Sequence, residues 1–295
     1  LVENSIKSIS FSELKPEKPF LSFVPKNIEA LDEFQKGFNI EKLFNIFTSG
    51  IQTSRDFLVI DSDYNKLKKR LEDFININKT TDDIRNDFFS NATSSKYPKG
   101  DTRGWRIEEI RPKLQALKIT DLIRKVSYRP FDKQFIAYDK LLVDWTREKV
   151  QSNLLKDNLS ITIGRQGQVT GDNLWDLIYI QDTISDLNLF YRGGGIVCPL
   201  YIYPENSNQQ TLDGNTERTP NLNPEIVKQI EEGLGIAFVS EKEHTPNPSQ
   251  EGNKTFAPID LLDYIYAVLH SPSYREKYKE FLKIDFPRVP YPTSL

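Results

Sequence analysis

A glycine-punctuated segment at residues 161–173 carries the side chains best suited to contacting DNA bases. It begins in a short β-branched run, which predicts a loop that leaves the end of a strand. Arginine can donate two hydrogen bonds to a guanine edge, and glutamine or asparagine can pair with an adenine edge, each with about 1–3 kcal/mol of discrimination. A hairpin whose polar side chains merely face water fits the segment equally well. The candidate DNA-binding residues here are Arg165, Gln166, Gln168, Thr170 and Asn173.

A second candidate lies at residues 128–133, between two predicted strands. Its cations, Arg129 and Lys133, suit contact with DNA phosphates, which arginine and lysine side chains commonly make. An alternative interpretation places Phe131 in the core and pairs Arg129 with Asp132.

Two more cations complete the predicted DNA-binding set. Arg192 stands before three consecutive glycines, in a flexible loop that could approach phosphates, although a plain connection fits somewhat better. Arg147 lies in a region rich in tryptophan and lysine, and tryptophans are more often core or rim residues than base-stacking platforms. The flanking residues are Trp145, Lys149 and Trp175.

Catalytic patterns are missing from the sequence. No Pro-Pro pair occurs, so the Asp/Asn-Pro-Pro-Tyr/Phe motif of adenine methyltransferases is absent. There is no Walker-type phosphate loop and no nucleophile elbow. The acidic run at 241–243 lies in a polar loop and not after a strand, where a metal-dependent nuclease would need it. We therefore expect this chain to have no catalytic residues and no cofactor of its own.

Metal binding and disulfides are also not expected. The two histidines, His244 and His270, lie in different contexts, and Cys198 is the only cysteine, so a Cys/His zinc site is excluded. Cys198 sits in an apolar run and reads as a small buried hydrophobe.

Composition indicates a globular protein with an uneven charge distribution. The 295 residues are 38% hydrophobic with no long apolar run, and the start shows no secretory signal, so we expect a cytoplasmic protein without a membrane partner. Net charge is −3, but residues 96–149 hold 14 Lys/Arg against 8 Asp/Glu, which suggests one basic face; ordinary solvated charge is the alternative. The absence of methionine indicates either an internal piece of a longer protein or a sequence from which methionines have been lost.

The pattern of elements predicts a mixed α+β fold with a central, mostly antiparallel sheet, flanking helices and a C-terminal helical hairpin. Short β-branched and aromatic runs between residues 126 and 203 predict the sheet. Apolar residues at helical spacing predict helices at 64–77, from Thr146 to Leu155, and from Asn223 to a stop at Gly235. A strand is predicted at 57–60.

These elements divide the chain into two parts. Residues 1–60 are predicted to be a connector. Residues 61–295 are predicted to be a domain that ends in a helical hairpin at 256–284 and an extended, proline-rich tail.

Several runs together resemble the C-terminal specificity region of type ISP restriction-modification enzymes, over nearly the whole chain and in order. The most distinctive runs from Asp263 to Pro272 and on to Arg288. The others are at 49–56, 127–132, 164–166, 199–204 and 219–222.

The resemblance implies sequence-specific binding of double-stranded DNA by residues 61–295 as the DNA target-recognition domain. It also implies that residues 1–60 are the connector that follows a methyltransferase core, which this sequence lacks. In that family, a single polypeptide joins a nuclease, an ATP-driven translocase, an N6-adenine methyltransferase and this region. S-adenosylmethionine would bind the methyltransferase domain of the same polypeptide, which would receive the flipped adenine, and not this chain. Whether the parent also cleaves DNA stays open.

Two rival functions remain compatible with the sequence. One is a protein-docking module of a multidomain restriction enzyme without direct base readout, which the balanced net charge favours slightly. The other is a small-molecule enzyme that uses the glycine loops as an anion site, which the lack of an acid-base or nucleophile constellation disfavours.

Overall fold

A computed structural model describes residue 13 and residues 30–92, 96–164, 175–190, 193–204, 218–241 and 255–293. Within these ranges the chain mixes helices and mostly antiparallel strands, which confirms the α+β class. The helices are α1 (Leu31–Lys36), α2 (Ile40–Leu43), α3 (Asp56–Val59), α4 (Tyr64–Phe74), α5 (Thr81–Phe89), α6 (Ile107–Gln115), α7 (Glu148–Gln151), α8 (Pro224–Leu234), α9 (Pro258–His270), α10 (Pro272–Lys277) and α11 (Lys279–Leu282). The strands are β1 (Phe38–Asn39), β2 (Thr48–Ser49), β3 (Ile60–Asp61), β4 (Ile123–Arg129), β5 (Asp132–Ala137), β6 (Ser160–Ile163), β7 (Ile178–Gln181), β8 (Ile184–Ser185), β9 (Ile196–Pro199), β10 (Tyr201–Ile202), β11 (Thr219–Pro220), β12 (Ala237–Phe238), β13 (Thr255–Phe256) and β14 (Arg288–Val289).

The central strands form two four-stranded sheets. Sheet I has the order β3-β5-β4-β8, and sheet II has the order β2-β9-β6-β7. All pairs are antiparallel except β4 with β8. Short apolar runs predict strands but do not say which strands pair, so the division into two sheets is a result of tertiary packing.

Each sheet has its own hydrophobic core. The core of sheet I includes Phe74, Ile84 and Trp105, contributed by or next to α4, α5 and α6. The core of sheet II includes Phe34 and Phe281, whose rings stack at 5.0 Å, and the buried face of α9. The predicted division at residue 60 stays a prediction.

The C-terminal helices begin and end where the sequence places them. Asn223 accepts a hydrogen bond from the Glu225 amide at 2.9 Å and caps α8, and Gly235 ends that helix in a left-handed conformation with φ 68°. Pro258 opens α9 as its first residue, and Ser271 caps α10 by accepting from the Tyr274 amide at 3.4 Å. The helical hairpin is confirmed.

The predicted strand at 57–60 is wrong for most of its length. Residues Asp56–Val59 form α3, in which the amides of Leu58 and Val59 both donate to the Arg55 carbonyl. Only Ile60 lies in a strand. Arg55 is fixed by tertiary contacts, since its guanidinium donates to the Leu142 carbonyl at 2.8 Å. A long-range anchor has overridden the β propensity of the apolar run.

A predicted helix cap also differs from the structure. Arg147, and not Thr146, precedes α7, and it adopts a left-handed conformation with φ 53°. The helix is only four residues long and continues as a 3₁₀ turn, Ser152–Leu155. The predicted start and end of this helix are therefore correct to within a residue or two. The predicted cap and the continuous α-helix are not.

The polar stretch after α4 folds because of two buried arginines. Arg111 on α6 donates to the Phe74 carbonyl at 2.9 Å and the Asn76 carbonyl at 2.7 Å, so it satisfies the end of α4. Arg85 on α5 forms two 3.0 Å hydrogen bonds to Asp101. α5 and α6 were not predicted from the sequence, although Thr80 and Asp83 form a capping box at the start of α5, which is a local signal.

Candidate nucleic-acid interface

The turn between β4 and β5 presents an exposed aromatic ring. Phe131 is 90% exposed and has a left-handed backbone with φ 62°. Its amide donates to the Tyr179 hydroxyl at 3.1 Å, and the two rings meet edge to face at 5.3 Å. The alternative interpretation of Phe131 as a core residue is therefore wrong. Tyr179 belongs to β7, so this turn of sheet I lies against sheet II.

Arg129, just before this turn, forms an ion pair with a buried carboxylate. Its guanidinium donates to Asp186 at 2.9 Å and lies 3.9 Å from the centre of the Tyr128 ring. Asp186 is 4% exposed, and burial raises the pKa of its carboxyl group despite the neighbouring Arg129 charge. The partner of Arg129 is thus Asp186, and not the adjacent Asp132 of the alternative interpretation. The Arg129 side chain keeps 39% of its surface exposed.

Lys133, just after the turn, forms an exposed ion pair. Its ammonium group donates to Asp182 at 2.6 Å, and the two side chains are 44% and 55% exposed. This hydrogen bond lowers the pKa of Asp182. Exposed pairs contribute about 0–1 kcal/mol, so Lys133 can exchange Asp182 for a phosphate at small cost.

The glycine-rich segments leave from one end of sheet II, which we call the loop end. In the strand register, Ile163 at the end of β6 lies opposite both Ile178, where β7 begins, and Ile196, where β9 begins. The segment that joins β6 to β7 and the segment that leads into β9 therefore begin or end side by side. Tyr179, which contacts Phe131, is one residue from this end. Outside the described residues lie Arg165, Gln166, Gln168, Thr170, Asn173 and Arg192.

The bases of these loops are well anchored. The Gly164 amide donates to the Leu177 carbonyl at 2.8 Å, and the Trp175 indole donates to the Gly164 carbonyl at 2.8 Å. Trp175 is 2% exposed. It is therefore a core residue and not a base-stacking platform. The loop after Gly164 therefore departs from a rigid base.

Arg147 lies at the other side of sheet II, beside β2, the edge strand opposite β7. Its guanidinium is 4.7 Å from the centre of the Trp145 ring, which is 50% exposed, and its Nε is buried without a hydrogen-bond partner. With Lys149 it lines an open cleft of about 520 Å³. The remaining lining residues are Asn45, Ile46, Phe47, Thr48, Glu148 and Val150. Arg129 and Lys133 thus lie together, and Arg147 lies apart from them.

The region behind Arg129 is packed backbone against backbone. A Cβ on Gly50 would lie 2.3 Å from the carbonyl carbon and oxygen of Asp186, which no ordinary contact allows. We expect Gly50→Ala to cost about 3 kcal/mol of unfolding free energy, because the two chain segments must separate. Gly104→Ala is the control, since nothing lies within 4 Å of its Cβ. Urea denaturation would measure both; equal stability of the two variants would contradict the prediction.

Phe131 and Tyr179 are the surface residues that sequence reasoning missed. The run Arg129-Pro130-Phe131-Asp132 signals a turn, because proline is suited to its second position. Nothing in the local sequence says that the phenylalanine points outward, since its exposure depends on the neighbouring strand β7.

Other chemistry is sparse among the described residues. Within these ranges no cluster of three or more His, Cys, Asp or Glu side chains is placed to hold a metal ion. None of the helices described here is long and apolar enough to cross a bilayer. Cys198 is fully buried, as predicted, and burial raises the pKa of its thiol.

The family model of the Type ISP C-terminal specificity domain matches residues 42–295, and the chain belongs to that family. The suspected resemblance is confirmed. No match was found among curated proteins.

Several solved structures that contain DNA share the fold. The cryoEM structure of a DrdV–DNA complex matches 99% of this chain with a TM-score of 0.65 and 20% identity. The ATP-dependent Type ISP restriction-modification enzyme LlaBIII bound to DNA matches 90% (TM-score 0.59, 20% identity). A nuclease-deletion mutant of the Type ISP enzyme LlaGI with a DNA substrate mimic matches 96% (TM-score 0.56, 17% identity). This chain spans only 27%, 16% and 24% of those chains, respectively.

Proposed function

We propose that this chain recognises a specific double-stranded DNA sequence as the specificity region of a restriction-modification N6-adenine methyltransferase. It positions the target adenine for a catalytic domain of the same polypeptide that lies outside this sequence. S-adenosylmethionine binds that catalytic domain, and the enzyme acts in the cytoplasm. Membership of the specificity-domain family and the DNA in the structures of all three fold relatives support the proposal.

The observation that carries the proposal is the arrangement at the loop end of sheet II. Two predicted DNA-contacting segments begin or end side by side there, and Phe131 of the adjacent turn contacts Tyr179, one residue from that end. The cations on either side of the turn, Arg129 and Lys133, contact Asp186 and Asp182, which follow β7 at its other end. Base readers and phosphate contacts must lie on one surface to engage one duplex. This grouping is what a recognition surface requires.

The docking-module alternative is less well supported. In that alternative, the tyrosines of the C-terminal hairpin and the proline-rich tail would dock onto a partner. The Tyr264 hydroxyl donates to the Pro290 carbonyl at 2.9 Å, and the Tyr274 hydroxyl donates to the Arg288 carbonyl at 2.6 Å. These two tyrosines and the tail therefore bind each other within the chain.

The test is selection of random-sequence duplex DNA by the purified chain at two salt concentrations, followed by sequencing. Enrichment of one motif that contains adenine would support the proposal. Retention without enrichment that vanishes in salt would contradict it, because nonspecific phosphate contacts behave in this way.

Two substitutions should separate phosphate contact from base readout. We expect Lys133→Ala to weaken binding to cognate and scrambled duplexes alike and to lower the salt slope by about 1. Arg165→Ala should instead weaken cognate binding and relax the preference at one position. Lys228→Ala is the control, because Lys228 forms an exposed helical pair with Glu232 on α8. Equal losses on cognate and scrambled DNA for both variants would remove Arg165 from the base readers.

A further inference from the structure

Phe131 is the most exposed of the large hydrophobic side chains in the described part of the molecule. It is 90% exposed, whereas Ile77 is 80%, Phe57 is 54% and Trp145 is 50% exposed. Burying a phenylalanine side chain in apolar surroundings is favourable. A single exposed apolar side chain is ordinary on a protein surface, so the case for a contact depends on how this ring is held and on what flanks it.

The ring is fixed in its outward position. Its left-handed backbone is unusual for a bulky residue, and the Tyr179 hydroxyl holds its amide at 3.1 Å. Pro130 restricts the backbone on one side. Arg129 and Lys133 flank the turn, and each is tied down by an aspartate. The turn therefore presents a rigid apolar tip between two cations.

We propose that Phe131 is a wedge that inserts between two neighbouring base pairs of the bound duplex. This inference rests on the proposed function. Proteins that kink DNA insert apolar side chains such as phenylalanine and proline between base steps. The partner that covers the Phe131 ring is DNA, because the flanking Arg129 and Lys133 complement the phosphates on either side of such a base step. The turn also adjoins the loop end of sheet II.

The wedge gives the turn a part in positioning the target. Unstacking one step costs a few kcal/mol, and the ring replaces the lost stacking surface. A distorted step beside the recognition loops would lower the cost of extruding an adenine into the catalytic domain. The protein would then also select sequences in which the wedged base step deforms easily. Contacts with base edges do not detect that property.

The experiment compares wild type, Phe131→Ala, Phe131→Trp and Ile77→Ala on the duplex enriched by selection. Ile77 is 80% exposed and lies beyond α4, away from the turn, so it is the matched control. 2-Aminopurine is placed in turn at each position of the duplex, because its emission rises when a base is unstacked. Thermal melting checks that each variant is folded.

We expect Phe131→Ala to weaken binding by about tenfold or more, as loss of one aromatic contact with a base does. The increase in 2-aminopurine emission at one base step should also be lost in Phe131→Ala. Phe131→Trp should retain both effects, and Ile77→Ala should change neither. An abasic site at the wedged step should tighten binding by wild type more than by Phe131→Ala, since it removes the unstacking cost.

The outcomes separate this inference from the proposed function. If wild type enriches a motif but Phe131→Ala binds it equally well, or binds it weakly with the emission increase intact, the wedge is wrong and recognition stands. If wild type enriches no duplex, the proposed function fails and the wedge fails with it.

Discussion

Replacing Arg129 with alanine is expected to destabilise the domain by about 3 kcal/mol at neutral pH, because it leaves a buried carboxylate without its partner. Asp186 is 4% exposed, and its main remaining support is the Asn188 amide at 2.8 Å. The pKa of Asp186 is already raised above its ordinary value of 3.8 by burial, and Arg129 opposes that rise. Loss of Arg129 should raise the pKa of Asp186 further.

The sign of the pH dependence follows from this shift. With a raised pKa, the folded protein binds a proton more readily than the unfolded chain, so protonation favours folding. The deficit of Arg129→Ala should be greatest above the folded pKa of Asp186 and should shrink as the pH falls through it. Urea denaturation of wild type and variant between pH 5 and pH 8 would measure this, and a deficit that does not vary with pH would contradict it.

A rescue variant separates the structural role of Arg129 from its proposed contact with DNA. Asp186→Asn in the Arg129→Ala background removes the buried charge but keeps an oxygen to accept from the Asn188 amide. We expect the double variant to recover most of the stability, but not the affinity for the selected duplex. Recovery of both would mean that Arg129 only supports the turn.

The second large effect is expected at Asp101, which joins α5 to α6. Its carboxylate accepts two hydrogen bonds from Arg85 at 3.0 Å and one from the Ile107 amide at 3.1 Å, at the start of α6. Arg85 and Asp101 are both 9% exposed. Asp101→Ala leaves the buried Ile107 amide unpaired, and it leaves the Arg85 guanidinium with only the Lys99 carbonyl and the more distant Glu108 carboxylate. We therefore expect a loss of about 3 kcal/mol in unfolding free energy.

Two controls define this prediction. Asp101→Asn keeps an acceptor for the Ile107 amide but loses the charge, so it should cost about half as much. Glu232→Ala removes the acid of an exposed pair on α8 and should change stability by less than about 0.5 kcal/mol. A loss of under about 1 kcal/mol for Asp101→Ala would show that this pair does not hold α5 and α6 together.

The features that sequence alone determined are those with local causes. Asn223, Gly235 and Ser271 mark the ends of the C-terminal helices, because caps involve only residues two to four positions apart. The mixed class and the family followed from patterns along the chain. Candidate DNA-contacting side chains could also be proposed from the sequence, because arginine, lysine and glutamine carry their hydrogen-bonding groups wherever they stand.

Tertiary structure alone decided the pairings and the exposures. Arg129 pairs with Asp186, 57 positions away, and not with Asp132 nearby. Phe131 faces outward because β7 brings Tyr179 to its amide across 48 positions. Residues 56–59 form a helix because the distant Leu142 carbonyl and Asp144 carboxylate hold Arg55. Such contacts depend on which strands become neighbours, and periodicity along one chain does not specify that choice.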